Sequence, residues 1–125
     1  MNGKTNRRGG HDYERLLAKK FRDIGFSFCK TARASSRLLD SCKVDLAFIP
    51  YNVQAKKVKA SINYTEIFKE MEEALEQNFP PGSPERTNMK MIFHSRGKEA
   101  VERLVVIQEH DMFNLLKRLK ELAVS

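Results

Sequence analysis

The chain has 125 residues, of which 41% are hydrophobic and 31% charged, and its formal net charge is +7 at pH 7. A chain of this length forms one domain that can bury a core without disulfides or a structural metal. No apolar run approaches the roughly 20 residues of a membrane span, and the N-terminal MNGKTNRRGG lacks the apolar segment of a signal peptide. The composition therefore argues against a membrane-spanning protein and predicts an intracellular protein with no membrane partner.

The positive charge is concentrated in residues 30–59, where seven Lys or Arg stand against Asp40 and Asp45. The next stretch, residues 60–79, reverses this balance with five Glu against Lys69. A basic face beside an acidic one is typical of a protein that binds a polyanion such as DNA in one orientation. A solvated surface that is merely basic is the alternative interpretation.

The first half of the chain is expected to begin with a flexible basic arm at 1–10 and a helix at about 11–24. A first strand is expected around Phe26 and Phe28, followed by a loop rich in Ser and Arg at 32–42. These assignments rest on helical spacing of apolar residues in the first helix and on local composition elsewhere.

A second strand is predicted from the alternation of Val44, Leu46 and Phe48 on one face with Asp45 and Ala47 on the other. The alternation therefore predicts that Asp45 faces away from these three larger residues.

A third strand is predicted at about 52–58, after a turn marked by Pro50. Asn63 and Glu66 have the spacing of a capping box and are expected to open a helix. A loop is predicted at 80–86.

Two more strands are expected at about 88–94 and 102–108, before a last helix capped by Asp111. This helix is expected to turn the following residues towards the core: Met112, Leu115, Leu116, Leu119 and Leu122. The order α-β-β-β-α-β-β-α predicts an α/β fold with a central mixed sheet flanked by helices, formed as a single domain by residues 11–125.

The second and third predicted strands can bring polar side chains together if they form an antiparallel hairpin. A turn centred at Ile49–Pro50 would place Asp45 opposite Gln54, with their Cβ atoms about 5 Å apart. The same register puts Lys43 opposite Lys56 and gathers Asp45, Gln54 and Lys56 on one face. A turn one residue later would move Asp45 to the opposite face from Gln54.

The grouped residues suit metal-assisted attack on a phosphate. Mg²⁺ prefers hard oxygen ligands, which the Asp45 carboxylate, the Gln54 side-chain carbonyl and the Ala55 backbone carbonyl could supply beside a scissile phosphate. Lys56 would neutralise the negative charge that builds on the phosphorus centre. Gln54 is a weaker ligand than a carboxylate because it lacks one full charge. An ordinary hairpin with charged residues facing water is the alternative interpretation.

The order of motifs resembles the PD-(D/E)XK nuclease superfamily, most closely its archaeal and phage Holliday-junction resolvases. The resemblance covers roughly residues 8–78. The matching residues, in order, are Gly10, Glu14-Arg15, Gly25-Phe26, Lys30 where the family has Arg, the loop serines Ser35, Ser36 and Ser41, the run Val44-Asp45-Leu46, and Gln54-Ala55-Lys56. Two departures stand out: the Ser-containing loop is longer than usual, and Gln54 replaces the Glu of the Glu-x-Lys motif.

The resemblance implies a restriction-endonuclease-like fold and a metal-dependent endonuclease that uses Mg²⁺, with Mn²⁺ as a substitute. Such an enzyme would act as a homodimer and resolve four-way junctions by paired nicks. Glu14, Asp45, Gln54 and the Ala55 carbonyl would hold the metal, and Lys56 would be the catalytic lysine. The residues implied at the DNA are Arg15, Lys30, Arg33, Ser35, Ser36, Arg37, Lys57 and Lys59.

Several alternatives stay open at this point. Glu14 could be a solvated acid near the start of its helix, and Arg15 could pair with Glu14 instead of contacting phosphate. The protein could be a nickase or repair nuclease for another branched DNA, or a DNA-binding protein whose catalysis lapsed through Gln54. Because little chain remains for a base-reading element, contacts are expected to phosphates and DNA shape.

Overall fold

The computed structural model describes residues 3–124, and their side chains from residue 9 onwards. The structure is mixed α/β, with helices flanking a sheet. Its elements in chain order are α1 (Gly3–Asp23), β1 (Lys30–Thr31), α2 (Ala32–Ser35), α3 (Arg37–Ser41), β2 (Leu46–Ala47), β3 (Tyr51–Lys57), α4 (Tyr64–Asn78), α5 (Pro84–Thr87), β4 (Met89–Ser95), a 3₁₀ turn (Ala100–Glu102), β5 (Arg103–Ile107) and α6 (Glu109–Val124).

The central sheet has the strand order β3-β4-β5. Strands β3 and β4 run parallel, with Gln54 beside Ile92 and Lys56 beside His94, whereas β4 and β5 run antiparallel. Strands β1 and β2 form a separate short antiparallel pair. The predicted central mixed sheet is therefore confirmed, and the third, fourth and fifth strands lie within one or two residues of their predicted bounds.

Two apolar clusters hold the helices against the strands. One lies under α1, where Leu17 and Phe21 pack with Leu46 and Val53, and Phe93 joins from the central strand. The other lies under α4, and its members are Cys42, Val44, Met71 and Leu75, with Leu39, Ala74 and Phe79 packed against them. The cluster under α1 thus contains the strand residues, whereas α4 packs on the segment between α3 and β2.

The start of α4 follows the sequence prediction. Asn63 is the N-cap residue, and its side-chain oxygen accepts a hydrogen bond from the Glu66 N–H at 3.1 Å. This bond satisfies one of the donors that a helix N-terminus leaves without a partner.

The first predicted strand is misplaced. Residues around Phe26 and Phe28 form the turn that closes α1, in which Phe26 N–H donates to the Phe21 carbonyl and Cys29 N–H donates to the Phe26 carbonyl. Gly25 adopts φ +117, which a residue with a side chain rarely adopts. Phe28 is consequently 78% exposed, and the strand forms later, at Lys30–Thr31.

Two predicted irregular segments contain helical turns. Within the predicted loop at 32–42 lie α2 and α3, and the Ser36 hydroxyl caps α3 by accepting from the Leu39 N–H. Within the predicted loop at 80–86, Pro84 begins α5, a position that suits its fixed φ. Such single turns are too short to give a periodic apolar signal.

The helix α1 starts earlier than expected, because residues 3–10 are helical. The segment predicted as a flexible basic arm is thus helical from residue 3 onwards, while Met1 and Asn2 lie outside the described residues. The segment contains no Pro, which would break the helix, although Gly9 and Gly10 are poor helix formers.

The last helix begins at Glu109, before the expected cap Asp111, and it does not bury the predicted face. Among the predicted core residues, only Leu115 is partly buried. The exposed ones are Met112, Leu116, Leu119 and Leu122. An amphipathic pattern identifies an apolar face but not the surface that covers it. Within residues 3–124, no helix has the length and apolarity to cross a membrane.

Candidate active site

The polar site lies where β2 turns away from β3, a place that we call the fork and define by Asp45, Val53, Gln54 and Ala55. The Asp45 N–H donates to the Val53 carbonyl at 2.7 Å. The Ala55 N–H donates to Asp45 Oδ2, also at 2.7 Å. A carboxylate therefore takes the place of a backbone acceptor at the point where the two strands separate.

The predicted hairpin register is wrong by one residue. Asp45 was expected opposite Gln54, but its backbone bonds to Val53. The shift also takes Lys43 out of the predicted position opposite Lys56. The reason lies in the backbone, because Lys43 (φ 66) and Phe48 (φ 65) adopt left-handed conformations on either side of β2. These two residues limit β2 to Leu46–Ala47 and turn it away from β3.

The backbone of Asp45 is also held from the other side. The Ala32 N–H, at the start of α2, donates to the Asp45 carbonyl at 2.7 Å. Asp45 thus takes part in three hydrogen bonds, to Ala32, Val53 and Ala55, which fix its carboxyl group in the fork.

Helix α1 brings Glu14 to the fork, as the resemblance implied. Glu14 is buried, and its Oε2 accepts a hydrogen bond from Arg33 Nη2 at 2.5 Å. A buried carboxylate needs such a partner, because desolvation of an isolated charge is costly. The interpretation of Glu14 as a solvated helix-start acid is wrong.

The electrostatics of the fork show that its two acids are close together. The pKa of Asp45 is raised to about 7, chiefly by burial and also by the Glu14 charge and a hydrogen bond between the two carboxyl groups, against the lowering effect of the Ala55 N–H and the Lys56 ammonium. Two carboxyl groups in one desolvated place do not readily both ionise without a cation. The structure thus brings Glu14, Asp45 and Lys56 together.

Gln54 precedes Ala55 in β3. It is buried, with 8% of its surface exposed. Its Oε1 has no hydrogen-bond partner among the residues that the structure describes. Buried polar atoms are almost always paired, and an orphaned one calls for an explanation. Gln54 shares its strand face with Lys56, whose charge acts on Asp45.

These features fit a divalent cation. The candidate ligands are hard oxygens from Glu14, Asp45 and Gln54, the donor type that Mg²⁺ prefers. A cation bound by Asp45 and Glu14 would compensate the charge of the two carboxylates, and Gln54 Oε1, which has no partner among the described residues, is the candidate for a further ligand. The described part of the chain has no group of three or more His, Cys, Asp or Glu side chains that could hold a metal; the acids here are Asp45 of the fork and Glu14 of α1, and the third candidate ligand is the Gln54 amide.

The residues predicted at the DNA divide into two groups. Four basic residues are exposed on the surface, as expected: Lys30, Arg37, Lys57 and Lys59; Arg15, Arg33 and Ser35 are exposed as well. The other predicted residues have partners within the protein.

Arg33 pairs with Glu14, and Arg15 pairs with Asp12 at 2.8 Å rather than with Glu14. The Ser35 hydroxyl donates to the Thr31 carbonyl, and Ser36 caps α3. The two serines therefore have local structural roles, and Arg33 belongs to the fork.

Sequence reasoning missed a buried pair next to Lys56. His94 is fully buried; its Nε2 lies 2.8 Å from the Val58 carbonyl and its Nδ1 lies 2.8 Å from the Tyr64 hydroxyl. A carbonyl can only accept, so Nε2 carries the proton and Nδ1 accepts from Tyr64. The pair ties the chain after β3 to α4. His94 follows the buried Ile92 by two residues in β4, so strand alternation places both side chains on the same face. This spacing was the signal in the sequence that could have indicated a buried His94.

The chain shows no significant match to a protein-family model, to a curated protein or to a solved structure.

Proposed function

We propose that this protein is a metal-dependent endonuclease of the PD-(D/E)XK type that cuts branched DNA. The observation that carries the proposal is the fork, where the charges of Glu14 and Lys56 both act on the Asp45 carboxyl group; one residue before Ala55, the buried Gln54 Oε1 has no hydrogen-bond partner among the described residues. Acids with a nearby lysine are the groups that phosphodiester hydrolysis needs.

The residues of the fork would divide the work. Glu14, Asp45 and Gln54, with the Ala55 carbonyl, would hold Mg²⁺ or Mn²⁺, which when bound polarises the phosphate and lowers the pKa of water. Lys56 would orient the attacking water and offset the charge that develops on the phosphate. Arg33 would leave part of its charge free for phosphate when a cation neutralises Glu14.

The surface supports a DNA substrate recognised by backbone and shape. Lys30, Arg37, Lys57 and Lys59 are exposed on the same stretch of chain that forms the fork. Gly9 lies close to Lys57, because a Cβ atom added to Gly9 would be 3.8 Å from Lys57 Cδ. The first half of α1 therefore runs past the end of β3. Phosphate contacts from such residues would position the duplex without reading its sequence.

A homodimer would let two active sites nick opposite strands of a four-way junction. The apolar face of α6, with Met112, Leu116 and Leu119 exposed, provides a surface for self-association, because soluble proteins rarely leave such faces uncovered. We propose this face as the dimer contact.

A second candidate is a DNA-binding protein of the same fold whose catalysis has lapsed. Two observations favour it: Gln54 stands where a third acid would complete the metal site, and Arg33 already neutralises Glu14. Binding through the basic surface would survive in such a protein.

The deciding assay uses a labelled four-way junction beside a linear duplex of the same sequence, each with Mg²⁺ and with EDTA. The endonuclease should cut the junction only with Mg²⁺ and leave the linear duplex largely intact. Retention of the junction without any cleavage would favour the lapsed protein, and failure to bind either DNA would overturn both candidates.

A further inference from the structure

Phe48 combines two unusual properties next to the fork. Its backbone adopts φ 65, a left-handed conformation that is an outlier for a bulky residue. Its side chain is 61% exposed, although an aromatic ring usually gains stability from burial. A glycine would hold this turn at lower cost, so the turn alone does not account for a phenylalanine at this position.

The surroundings of Phe48 fit a nucleic acid. The residue follows Asp45 by three positions, and it lines an open groove of about 420 Å³ together with Ser35, Ser36 and Tyr51. Arg37 and Lys43 are exposed on the neighbouring segments, within the stretch 30–59 that carries a net charge of +5. The charged residue in the lining of the groove is Glu85, so the cations that would meet phosphates are those of the neighbouring segments, while the exposed ring is the kind of surface on which an unstacked base binds.

We propose that Phe48 stacks on a base that leaves the helical stack at the branch point and thereby selects branched DNA over linear duplex. This inference rests on the proposed function and names the residue that would give it structure selectivity. In a linear duplex every base is already stacked between its neighbours, so binding to Phe48 would require unstacking. At a branch point a base can leave the stack more easily, and the groove beside Phe48 has room for it.

The position of Phe48 is suited to this role. Phe48, with its left-handed backbone, lies directly after β2. The pairing of β2 with β1 and the hydrogen bond from the Ala32 N–H to the Asp45 carbonyl hold Asp45 in place. A base stacked on Phe48 would therefore set where the adjoining phosphate meets the fork. Phe48 is a positioning and selectivity residue in this scheme, not a catalytic one.

The test measures the affinity of the full chain for a four-way junction and for a linear duplex in EDTA, where no cleavage occurs. Phe48→Gly removes the ring and fits the left-handed backbone, so its melting temperature should equal or exceed that of the parent. Base–aromatic stacking implies that its preference for the junction should fall by about tenfold or more. Phe48→Tyr keeps an aromatic face and should retain the preference.

Phe28→Gly is the matched control, since Phe28 is another exposed ring, 78% accessible, that lies outside the groove. It should leave the junction preference unchanged. An unchanged preference in Phe48→Gly, or an equal loss in Phe28→Gly, would overturn the inference while leaving the proposed endonuclease standing. A parent that binds both DNAs equally would overturn the inference together with the branched-DNA part of the proposed function, which the Mg²⁺ cleavage assay then checks separately.

Discussion

At Asp45, the burial that folding imposes destabilises the charged carboxylate that the proposed chemistry requires. The fold buries its carboxyl group beside Glu14, which raises its pKa to about 7 from an ordinary value of 3.8. Between these two values the folded state holds more protons than the unfolded state, so stability falls as the pH rises through this window. A bound cation would stabilise the charged carboxylate and remove this loss of stability. A buried acid with a raised pKa is typical of a functional site.

The stability of Asp45→Asn should reveal this conflict. Asn stays neutral and its carbonyl can still accept from the Ala55 N–H, so the variant avoids the cost of a buried charge. Its free energy of unfolding in EDTA, relative to the parent, should improve by on the order of 3 kcal/mol between pH 4 and pH 8. Denaturant unfolding at several pH values measures this, and a difference independent of pH would show that Asp45 is not buried as described.

Substitutions of the buried Gln54 distinguish a working metal site from one that has lost its catalytic activity. Gln54→Glu adds one carboxylate, so the Mg²⁺ concentration for half-maximal cleavage should fall or stay level. Gln54→Ala removes a ligand that nothing replaces, and that concentration should rise about tenfold or more, as for other losses at a metal site. A Mg²⁺ titration of junction cleavage measures both variants. A parent that cuts at no Mg²⁺ or Mn²⁺ concentration, with cutting restored by Gln54→Glu alone, would identify a lapsed protein.

At the scale of elements, strong local signals predicted the structure well and weak ones did not. Strand β3 and helix α4 were predictable because alternation and the Asn63 cap are local chemistry. The register at Asp45 was not, because it depends on left-handed residues at Lys43 and Phe48 that no sequence pattern marks. The approach of Glu14 to Asp45 was expected only from the resemblance, and the Arg33 contact depends on where the short helix α2 lies.

For α6, too, the local pattern predicted the helix but not its contacts. Its amphipathic pattern correctly identified an apolar face, but the chain does not fold back to cover that face. Asn114, Leu115 and Arg118 border a groove with Tyr51 and Met89, and the rest of the stripe is exposed. Contacts with another molecule cannot be read from the periodicity of one helix.

The proposed dimer predicts a clear effect of Leu119→Glu. Leu119 is 61% exposed in the single chain, so the substitution should leave the monomer folded but place a charge in the dimer contact. Sedimentation equilibrium should show a loss of dimer by at least tenfold in the dissociation constant, with little change in circular dichroism. Lys117→Glu, on the opposite side of the helix, is the control and should remain dimeric. A parent that is monomeric at every concentration would contradict the assignment of this face.

At the scale of the whole molecule, charge is divided between two regions. The strand and loop region 30–59 is basic, whereas α4 exposes acidic side chains, including Glu66, Glu70 and Glu73. DNA would therefore approach from the side of the fork and be repelled from α4. In the proposed function, this polarity would orient DNA before any specific contact forms.

The salt dependence of junction binding tests this orientation. If the four exposed cations Lys30, Arg37, Lys57 and Lys59 each neutralise a phosphate, a plot of log affinity against log salt should have a slope of about −4. Lys57→Gln should reduce the slope by about 1, because one contact is lost. Fluorescence anisotropy in EDTA provides the measurement, and a flat salt response would exclude this surface as the docking site.

The central claim is that the fork built around Asp45 is a metal-dependent nuclease site, and cleavage by Asp45→Asn tests it most directly. The measurement is the rate of Mg²⁺-dependent cutting of a labelled four-way junction by the parent and by Asp45→Asn, with junction affinity recorded in parallel. The parent should cut, and the variant should lose cutting by at least a hundredfold while binding the junction as tightly as before, because the basic surface is unchanged. Cleavage that survives Asp45→Asn at the parental rate would contradict the account, since the proposed site cannot hold a metal without that carboxylate.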